Sequence, residues 1–312
     1  MKNLLIGNGL SVSISPDFSY SSLREKVTRE SSPAVDRLFK KLNTVDFEHL
    51  LTKVRDARDV MEAITDGQVI VSQSISDEIR AKLIEAIQSM NPRGPMDHGL
   101  DPQQLNKALK KYNNTFTTNY DIYLYWARKG SQSFNIIDFF FDDGCFDRTD
   151  VDKRGRDAIY FLHGALFIFE IDSKIKKINR GEHATLDEAI QDRISNKNGY
   201  PLFISEGSPE EKIANIKSNQ YLSFCYDELR SMSGALDIYG HSLNPEVDGH
   251  IIDAIKESAV ERVRFYQFRL GELSDGEKAH LNSTLNSRLG VEVELYDSSQ
   301  HDLCKWSIFE GF

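Results

Sequence analysis

The segment Thr117-Thr118-Asn119-Tyr120-Asp121 decides the fold prediction. It follows the β-prone run Asn113–Phe116 and leads into residues 122–126, which have a helical pattern. A strand that ends in small polar residues and is followed by a helix is typical of an α/β sheet. In open α/β sheets, ligands bind in the crevice outside the carboxyl ends of the strands. We therefore expect Asn119 and Asp121 to face a bound sugar or carboxamide at such an edge.

The same two side chains have a structural alternative. Asn and Asp are common N-cap residues, and either Asn119 or Asp121 could accept hydrogen bonds from the first amides of the following helix. Taken alone, the segment leaves both interpretations open. Three other segments, each at the end of a predicted strand, add weight to the functional interpretation.

The composition is that of an ordinary globular protein. The chain has 312 residues, of which 40% are hydrophobic and 28% charged. No apolar run approaches the ~20 residues that span a bilayer, and the run at Leu4–Ile6 is too short for a secretory signal. Cys145, Cys225 and Cys304 lie far apart, which argues against a disulfide framework or a structural zinc site. We therefore expect a cytoplasmic protein without a metal ion and without a membrane partner.

Charge narrows the choice of partners. The net charge of -10 disfavours a direct nucleic-acid partner, because non-specific affinity for nucleic acid depends on clustered Lys and Arg. A segment rich in Asp, residues 139–157, lacks the ligand spacing of a calcium loop. We interpret it as a solvated polar loop insertion.

The chain begins with a second candidate strand exit. The apolar run Lys2–Ile6 ends in Gly7-Asn8-Gly9-Leu10-Ser11. Glycines let a backbone approach a diphosphate closely, and a helix that starts there complements its negative charge. Val12 breaks the complete G-x-G-x-x-G pattern, so this is not the dehydrogenase fingerprint. The alternative is a tight strand exit with no ligand.

A helical region is predicted after this first strand. Apolar residues recur at helical spacing in two stretches, which predicts two amphipathic helices with one buried face each. The first stretch contains Phe47, Leu50, Leu51, Val54, Met61 and Ile64, and the second contains Val71, Ile75, Ile79, Leu83 and Ile87. Asp101-Pro102 then provides an N-cap and a first-turn proline for another helix. We therefore predict a helical insertion over residues 33–112.

Two later strands end in histidine and glycine. Residues 158–162 end in His163-Gly164, and residues 235–239 end in Gly240-His241-Ser242 before a helix start at Asn244-Pro245. We expect His163 to face the same crevice as Asn119, although a histidine at a strand end is more often structural. The glycine and serine of the second exit predict a second phosphate cradle.

The alternation of strands with helices predicts the sheet. Strand-like runs at 200–204, 235–239, 263–268 and 291–296 are separated by helical patterns. Such alternation implies a parallel sheet with right-handed crossovers. The predicted fold class is therefore α/β, with a doubly wound, Rossmann-like parallel sheet.

Together, four segments resemble the sirtuin-like superfamily in order and approximate spacing over nearly the whole chain. They are Gly7–Ser11, Thr117–Asp121, Leu162–Gly164 and Gly240–Leu243, with Asp248 just beyond. The usual first motif of that family is G-A-G-x-S, so Asn8 replaces alanine. The T-T-N-Y-D form is typical of prokaryotic relatives, several of which are NAD-cleaving effectors of antiphage defence. Sirtuin deacylases also carry a four-cysteine zinc module, which this chain lacks, so deacylation is disfavoured.

The resemblance implies a sirtuin-type NAD-binding domain over residues 1–312 and assigns roles to its residues. Asn119 is expected to hold the ribose hydroxyls or the water, and His163 to act as general base. Asp121 is expected to bind the nicotinamide side or to stabilise positive charge. The remaining NAD-binding residues implied are Gly7, Asn8, Gly9, Ser11, Thr118, Gly164, Gly240, Ser242 and Asp248.

The implied function is NAD glycohydrolysis, with NAD as substrate and with nicotinamide and ADP-ribose as products. The defence relatives imply activation through a partner protein or a homo-oligomer. A binding module that senses NAD or an ADP-ribose derivative without turnover is the alternative, and a requirement for His163 in cleavage separates the two. A third alternative is unrelated chemistry on a generic doubly wound fold, since fold and function often separate.

Overall fold

The strands of this chain form two sheets. The computed structural model describes residues 1–65, 71–94, 97, 100–129, 136–140, 144–148, 157–197, 199–204 and 208–306. Its strands are β1 (Lys2–Ile6), β2 (Asn114–Thr117), β3 (Ile136–Ile137), β4 (Asp157–Phe161), β5 (Gly164–Ile171), β6 (Lys174–Lys177), β7 (Pro201–Phe203), β8 (Ser233–Tyr239), β9 (Ala259–Gln267) and β10 (Val293–Asp297). Seven of them form one sheet in the order β10-β9-β8-β1-β2-β4-β3, and the other three form a smaller sheet.

Helices flank the larger sheet and connect its strands. They are α1 (Gly9–Ile14), α2 (Tyr20–Glu30), α3 (Pro33–Leu42), α4 (Phe47–Ile64), α5 (Val71–Met90), α6 (Pro102–Leu109), α7 (Tyr123–Lys129), α8 (Leu186–Lys197), α9 (Pro209–Ser218), α10 (Gln220–Arg230), α11 (Pro245–Glu257) and α12 (Asp275–Leu289). None of these helices combines the length and apolar character needed to cross a membrane. The central strand β1 is buried along Leu4, Leu5 and Ile6, as expected for a parallel strand covered on both faces.

The larger sheet is parallel at each neighbouring pair of its seven strands, which confirms the predicted α/β class with a parallel sheet of general Rossmann-like kind. The chain adds β2, β4 and β3 on one side of β1, and β8, β9 and β10 on the other. Strand order therefore reverses between β1 and β8, and a crevice for ligands is expected at that point. Gly7, Asn119, His163 and Gly240 follow the carboxyl ends of β1, β2, β4 and β8. The prediction that these four residues share one edge is confirmed.

The smaller sheet is antiparallel, with the order β6-β5-β7. The prediction that the strand near residues 200–204 joins the parallel series was therefore wrong. The physical reason lies at Leu162-His163, where a turn reverses the chain directly into β5. Gly164 has a φ of +80°, and a Cβ atom there would lie 1.9 Å from the Leu202 carbonyl oxygen, so glycine is required for the turn and for the packing of β7.

The described residues between β1 and β2 are mainly helical, and the helices begin at Gly9 rather than at the start of the predicted insertion over 33–112. Asp101 accepts hydrogen bonds from the amides of Gln103 and Gln104, which confirms the predicted N-cap of α6. The predicted buried face of α4 is correct from Phe47 to Val54. It was wrong for Met61 and Ile64, which are 46% and 71% exposed. The C-terminal turns of α4 extend beyond the core that buries its first half.

The segment predicted as a solvated polar insertion, 139–157, is partly buried. Phe139, Phe140 and Phe146 belong to the core, and both Phe140 and Phe146 pack against the ring of Tyr221 at centroid distances of 4.9 and 5.1 Å. The prediction counted the Asp residues and overlooked the aromatic residues between them. Positions 141–143 and 149–156 of this insertion lie outside the described residues.

Candidate functional site

A cavity of about 280 Å³ lies at the carboxyl edge of the parallel sheet, beside the point where strand order reverses. Loops after β1, β2, β4 and β8 form one side of it, and the starts of α2, α4 and α11 form the other. Ten of the site residues predicted from the sequence line this cavity: Gly7, Asn8, Gly9, Thr118, Asn119, Asp121, His163, Gly240, Ser242 and Asp248. Two predicted residues, Ser11 and Gly164, do not line the cavity. The strand exits chosen from the sequence therefore converge on one space.

The two glycine-containing loops pack against each other. The amide of Gly9 donates to the Gly240 carbonyl oxygen at 2.9 Å, and the amide of Gly7 donates to the Tyr239 carbonyl oxygen at 3.0 Å. A Cβ atom on Gly7 would lie 2.5 Å from the Gly240 oxygen, and one on Gly9 would lie 2.5 Å from the Gly240 Cα atom. Loop packing alone therefore requires these glycines. The amide of Gly9 is already engaged, which reduces the predicted capacity of this loop to hold a diphosphate.

Asn119, Ser11 and Asp121 form a buried chain of hydrogen bonds. Asn119 Nδ2 donates to Ser11 Oγ at 2.9 Å, and Ser11 Oγ donates to Asp121 Oδ2 at 2.5 Å. The other oxygen of Asp121 accepts from the amide of Tyr123 at 2.9 Å. The N-cap alternative therefore holds for Asp121. Ser11 acts by orienting Asn119 rather than by lining the cavity.

One atom of this chain has no partner. Asn119 is 8% exposed, and its Oδ1 accepts no hydrogen bond from any described residue. A buried acceptor without a donor costs about 1–3 kcal/mol. Because Ser11 fixes the other end of the amide, this oxygen is oriented in advance for a donor that enters the cavity. Its position beside Thr118, whose amide is bonded to the Ile6 carbonyl oxygen, leaves the loop itself well ordered.

His163 pairs with a second buried histidine. Its Nε2 lies 2.8 Å from Nε2 of His250 on α11, so one nitrogen donates and the other accepts. Burial is the main cause that lowers the pKa of His163 well below its usual value and the pKa of His250 to about 3. Both rings are therefore neutral at pH 7. His163 is 2% exposed and is a structural residue as well as a lining residue.

Four other residues that the sequence singled out differ in their contacts and in their exposure. The side chain of Asn8 donates to the Phe18 carbonyl oxygen at 3.0 Å, so it shapes the loop. Asp248 Oδ2 lies 3.9 Å from His241 Nε2, and burial lowers the pKa of His241. Ser242 is exposed, and it lines both this cavity and a neighbouring one. Asn244 caps α11 by accepting from the amide of Glu246, as predicted.

The neighbouring cavity has a volume of about 1090 Å³ and lies over the carboxyl ends of β8, β9 and β10. It shares Gly9, Gly240, His241 and Ser242 with the first cavity. Gly9 and Gly240, which carry no side chains, therefore line both spaces. The two cavities therefore adjoin each other along the loop after β8.

Sequence reasoning missed a buried ion pair behind the cavity wall. Lys212 on α9 is 0% exposed, and its Nζ donates to Glu48 Oε2 at 2.5 Å and to the Val247 carbonyl oxygen at 2.9 Å. Burial raises the pKa of Glu48 to about 7, with the Lys212 ammonium acting in the opposite direction. The 164 positions between the two residues explain the omission, because no local pattern signals the contact.

Among the described residues, no group of three or more His, Cys, Asp or Glu side chains is arranged to hold a metal ion. Cys225, the cysteine in the region of the deacylase zinc module, is buried, and burial raises its thiol pKa.

Comparisons with known proteins give the chain a family and no function. The comparison with curated proteins found no match. A family model described as a domain of unknown function, DUF4917, matches residues 4–304, which include each strand exit that lines the cavity. The chain therefore belongs to the DUF4917 family.

Proposed function

We propose that this protein is an NAD glycohydrolase, which cleaves NAD to nicotinamide and ADP-ribose in the cavity at the sheet edge. The observation that carries the proposal is the convergence of Asn119, His163 and the two glycine loops on one cavity beside the strand-order reversal. Dinucleotides bind at such points in doubly wound sheets. The unpartnered oxygen of Asn119 adds a polar anchor inside the cavity.

The two cavities suit the two halves of a dinucleotide. In this proposal the nicotinamide riboside end occupies the smaller cavity, and the adenosine end extends into the larger one. The diphosphate then passes Gly9 and Gly240, which line both cavities and carry no side chains. Its remaining donors come from the loop Gly240–Ser242, because the Gly9 amide is engaged.

The reaction breaks the bond between the ribose C1′ atom and the nicotinamide nitrogen. The electron pair leaves with the ring, so nicotinamide departs neutral and positive charge develops on the ribose. Asn119 Oδ1 accepts a hydrogen bond from a ribose hydroxyl and fixes the sugar. Water attacks C1′, and its proton passes to His163, which is neutral at pH 7. Because Nε2 of His163 contacts His250, Nδ1 is the nitrogen that we assign to the water.

Binding without turnover is a second candidate function, favoured by the histidine pair. A base whose pKa lies well below its usual value accepts a proton weakly, and one nitrogen of His163 is already engaged. The carboxylate of Asp121 is also occupied by Ser11 and by the Tyr123 amide. A sensor of NAD or of an ADP-ribose derivative needs the pocket and not the proton transfer.

The test is release of nicotinamide from NAD, followed by chromatography. We expect cleavage by the wild-type protein, and a loss of about 100- to 10,000-fold in His163→Gln, which keeps a hydrogen-bonding group beside His250. His280→Ala removes an exposed histidine on α12 and serves as the matched control. Thermal melting of each variant separates a lost base from a lost fold.

Two outcomes would contradict the proposal. Near wild-type cleavage in His163→Gln removes the assignment of the base. If the protein binds NAD tightly but releases no nicotinamide, whether alone, with candidate partner proteins or in oligomers, the hydrolase proposal is wrong and the sensor function is favoured. The resemblance to defence effectors extends the proposal to NAD depletion in cells that express the activated protein, which can be followed in the same assay.

A further inference from the structure

We infer that one wall of the smaller cavity, formed by Tyr20, Asp46, Glu48 and Asp248 and here called the acidic wall, binds the cationic pyridinium ring of oxidised nicotinamide nucleotides. The wall makes the site selective for NAD⁺ over NADH. This inference rests on the proposed function, since it names the oxidation state that the proposed site accepts.

The lining of the smaller cavity is acidic. Asp46, Glu48, Asp121 and Asp248 line the cavity, and the described lining contains neither Lys nor Arg. A diphosphate is therefore disfavoured inside this cavity, and a cation is favoured. Lys212 contacts Glu48 from behind, so part of that charge is balanced. Asp248 faces His241, which burial keeps neutral, and Asp46 is not balanced by a cation in the described lining.

Aromatic rings flank these carboxylates. Tyr20 and Tyr120 both line the cavity. Burial, followed by the charge of Glu48, raises the pKa of the Tyr120 hydroxyl, whereas Tyr20 is 46% exposed. The two phenols and the carboxylates line the same cavity. Aromatic faces next to negative charge attract flat organic cations through the ring quadrupole.

The orphaned oxygen of Asn119 is an independent observation that points to a ligand. It is nine-tenths buried, it has no donor in the described structure, and it lines the same cavity. Nicotinamide riboside offers donors in its carboxamide and its ribose hydroxyls. A ligand that satisfies both features must be a cation and must carry an N–H or O–H group.

NAD⁺ and NADH differ at the ring that meets the acidic wall. The oxidised ring carries one positive charge, and the reduced ring is neutral, whereas the ribose, the diphosphate and the adenosine are common to both. Glu48 is partly ionised at neutral pH, because burial raises its pKa to about 7, and a bound cation favours the ionised form. The difference in affinity between the two nucleotides therefore reports on the wall.

Two pairs of probes test the inference on the full-length protein. NAD⁺ and NADH are titrated against His163→Gln, which limits turnover, and 1-methylnicotinamide and nicotinamide are compared on the wild type by ligand-observed NMR. We expect the cation of each pair to bind about tenfold more tightly. Glu48→Gln and Asp46→Asn should each weaken that preference, because each deletes a negative charge from the cavity lining.

The variants are matched. Asn is as good an N-cap as Asp, so Asp46→Asn keeps the start of α4 even if Glu48→Gln disturbs the buried Lys212. Glu62→Gln removes the same charge from the same helix, 14 residues further along, which is about 21 Å. It should keep the full preference. Its side chain is 49% exposed, so the fold should tolerate the change.

Equal binding of cation and neutral probe by the wild type would overturn the inference, as would a full preference retained in both Glu48→Gln and Asp46→Asn. The proposed hydrolysis fails separately. If the protein prefers 1-methylnicotinamide but releases no nicotinamide from NAD, the inference about the acidic wall holds and the glycohydrolase proposal is wrong. If the protein releases nicotinamide but shows no preference for the cation, the glycohydrolase proposal holds and the inference about the acidic wall is wrong.

Discussion

Replacement of Gly240 by Ala tests whether the glycines at the sheet edge exist for a ligand or for the packing of two loops. Gly240 has a φ of +66°, and a Cβ atom there would lie 2.7 Å from the Gly9 Cα atom and 2.8 Å from the Leu10 nitrogen. Gly290, which ends α12, has a similar φ of +69° and has nothing within 4 Å of a built Cβ. The two glycines therefore share the backbone cost of Ala and differ in the steric cost.

The magnitudes follow from these two terms. A non-glycine residue in the left-handed region costs about 1–2 kcal/mol, and this applies to both variants. Overpacking against backbone atoms adds about 1–3 kcal/mol, and this applies to Gly240→Ala alone. We therefore expect a loss of about 2–5 kcal/mol in the free energy of unfolding for Gly240→Ala, against about 1–2 kcal/mol for Gly290→Ala.

Urea unfolding of the ligand-free proteins, followed by tryptophan fluorescence, measures both losses. Since no nucleotide is present, clearance for a diphosphate cannot contribute to the difference. Equal losses in the two variants would refute the argument from loop packing. The glycines would then be explained by ligand approach, and Gly240→Ala should impair NAD binding in addition to the backbone cost that it shares with Gly290→Ala.

Further predictions concern the buried polar groups. Lys212→Met should lower the free energy of unfolding by about 3–5 kcal/mol in urea, because it leaves Glu48 without its buried partner, and Glu48→Gln in the same chain should restore part of the loss. Acid should also destabilise the fold through His250. Its folded pKa of about 3 lies below its unfolded value of 6.5, so the unfolded state binds more protons between these values, and stability falls as pH decreases through this window. At pH 5 the loss amounts to about 2 kcal/mol relative to neutral pH, and urea midpoints should show a smaller pH dependence in His250→Gln.

The parallel sheet and its ligand edge were predictable because their signals are local. The strands β1, β2, β4 and β8 are each marked by a β-prone or apolar run that ends, within about ten positions, in a glycine or a small polar residue. The antiparallel sheet was not predictable from the same signals. Gly164 ends one strand pattern and begins another, and sequence gives no direct sign that the turn reverses the chain onto Leu202.

The parts of the site that sequence missed depend on distant contacts. Lys212 meets Glu48 across 164 positions, and His250 meets His163 across 87. Each of the four residues lies in a segment whose pattern was explained by helix packing or by a strand end. His163 and Asn119 are also part of the packed interior, since both are buried and hydrogen-bonded. Alanine at either position would therefore disturb the fold as well as the site.

The turn at Leu162-His163 joins the two sheets, so the position of the smaller sheet is coupled to that of the site. The amide of Ile204, just after β7, donates to the His163 carbonyl oxygen at 2.9 Å, and the Tyr120 hydroxyl donates to the Ile204 carbonyl oxygen at 2.5 Å. Ile204 thus ties the loop that carries Asn119 to the turn that carries the imidazole. A displacement of Ile204 would therefore move the Asn119 loop and the His163 turn together.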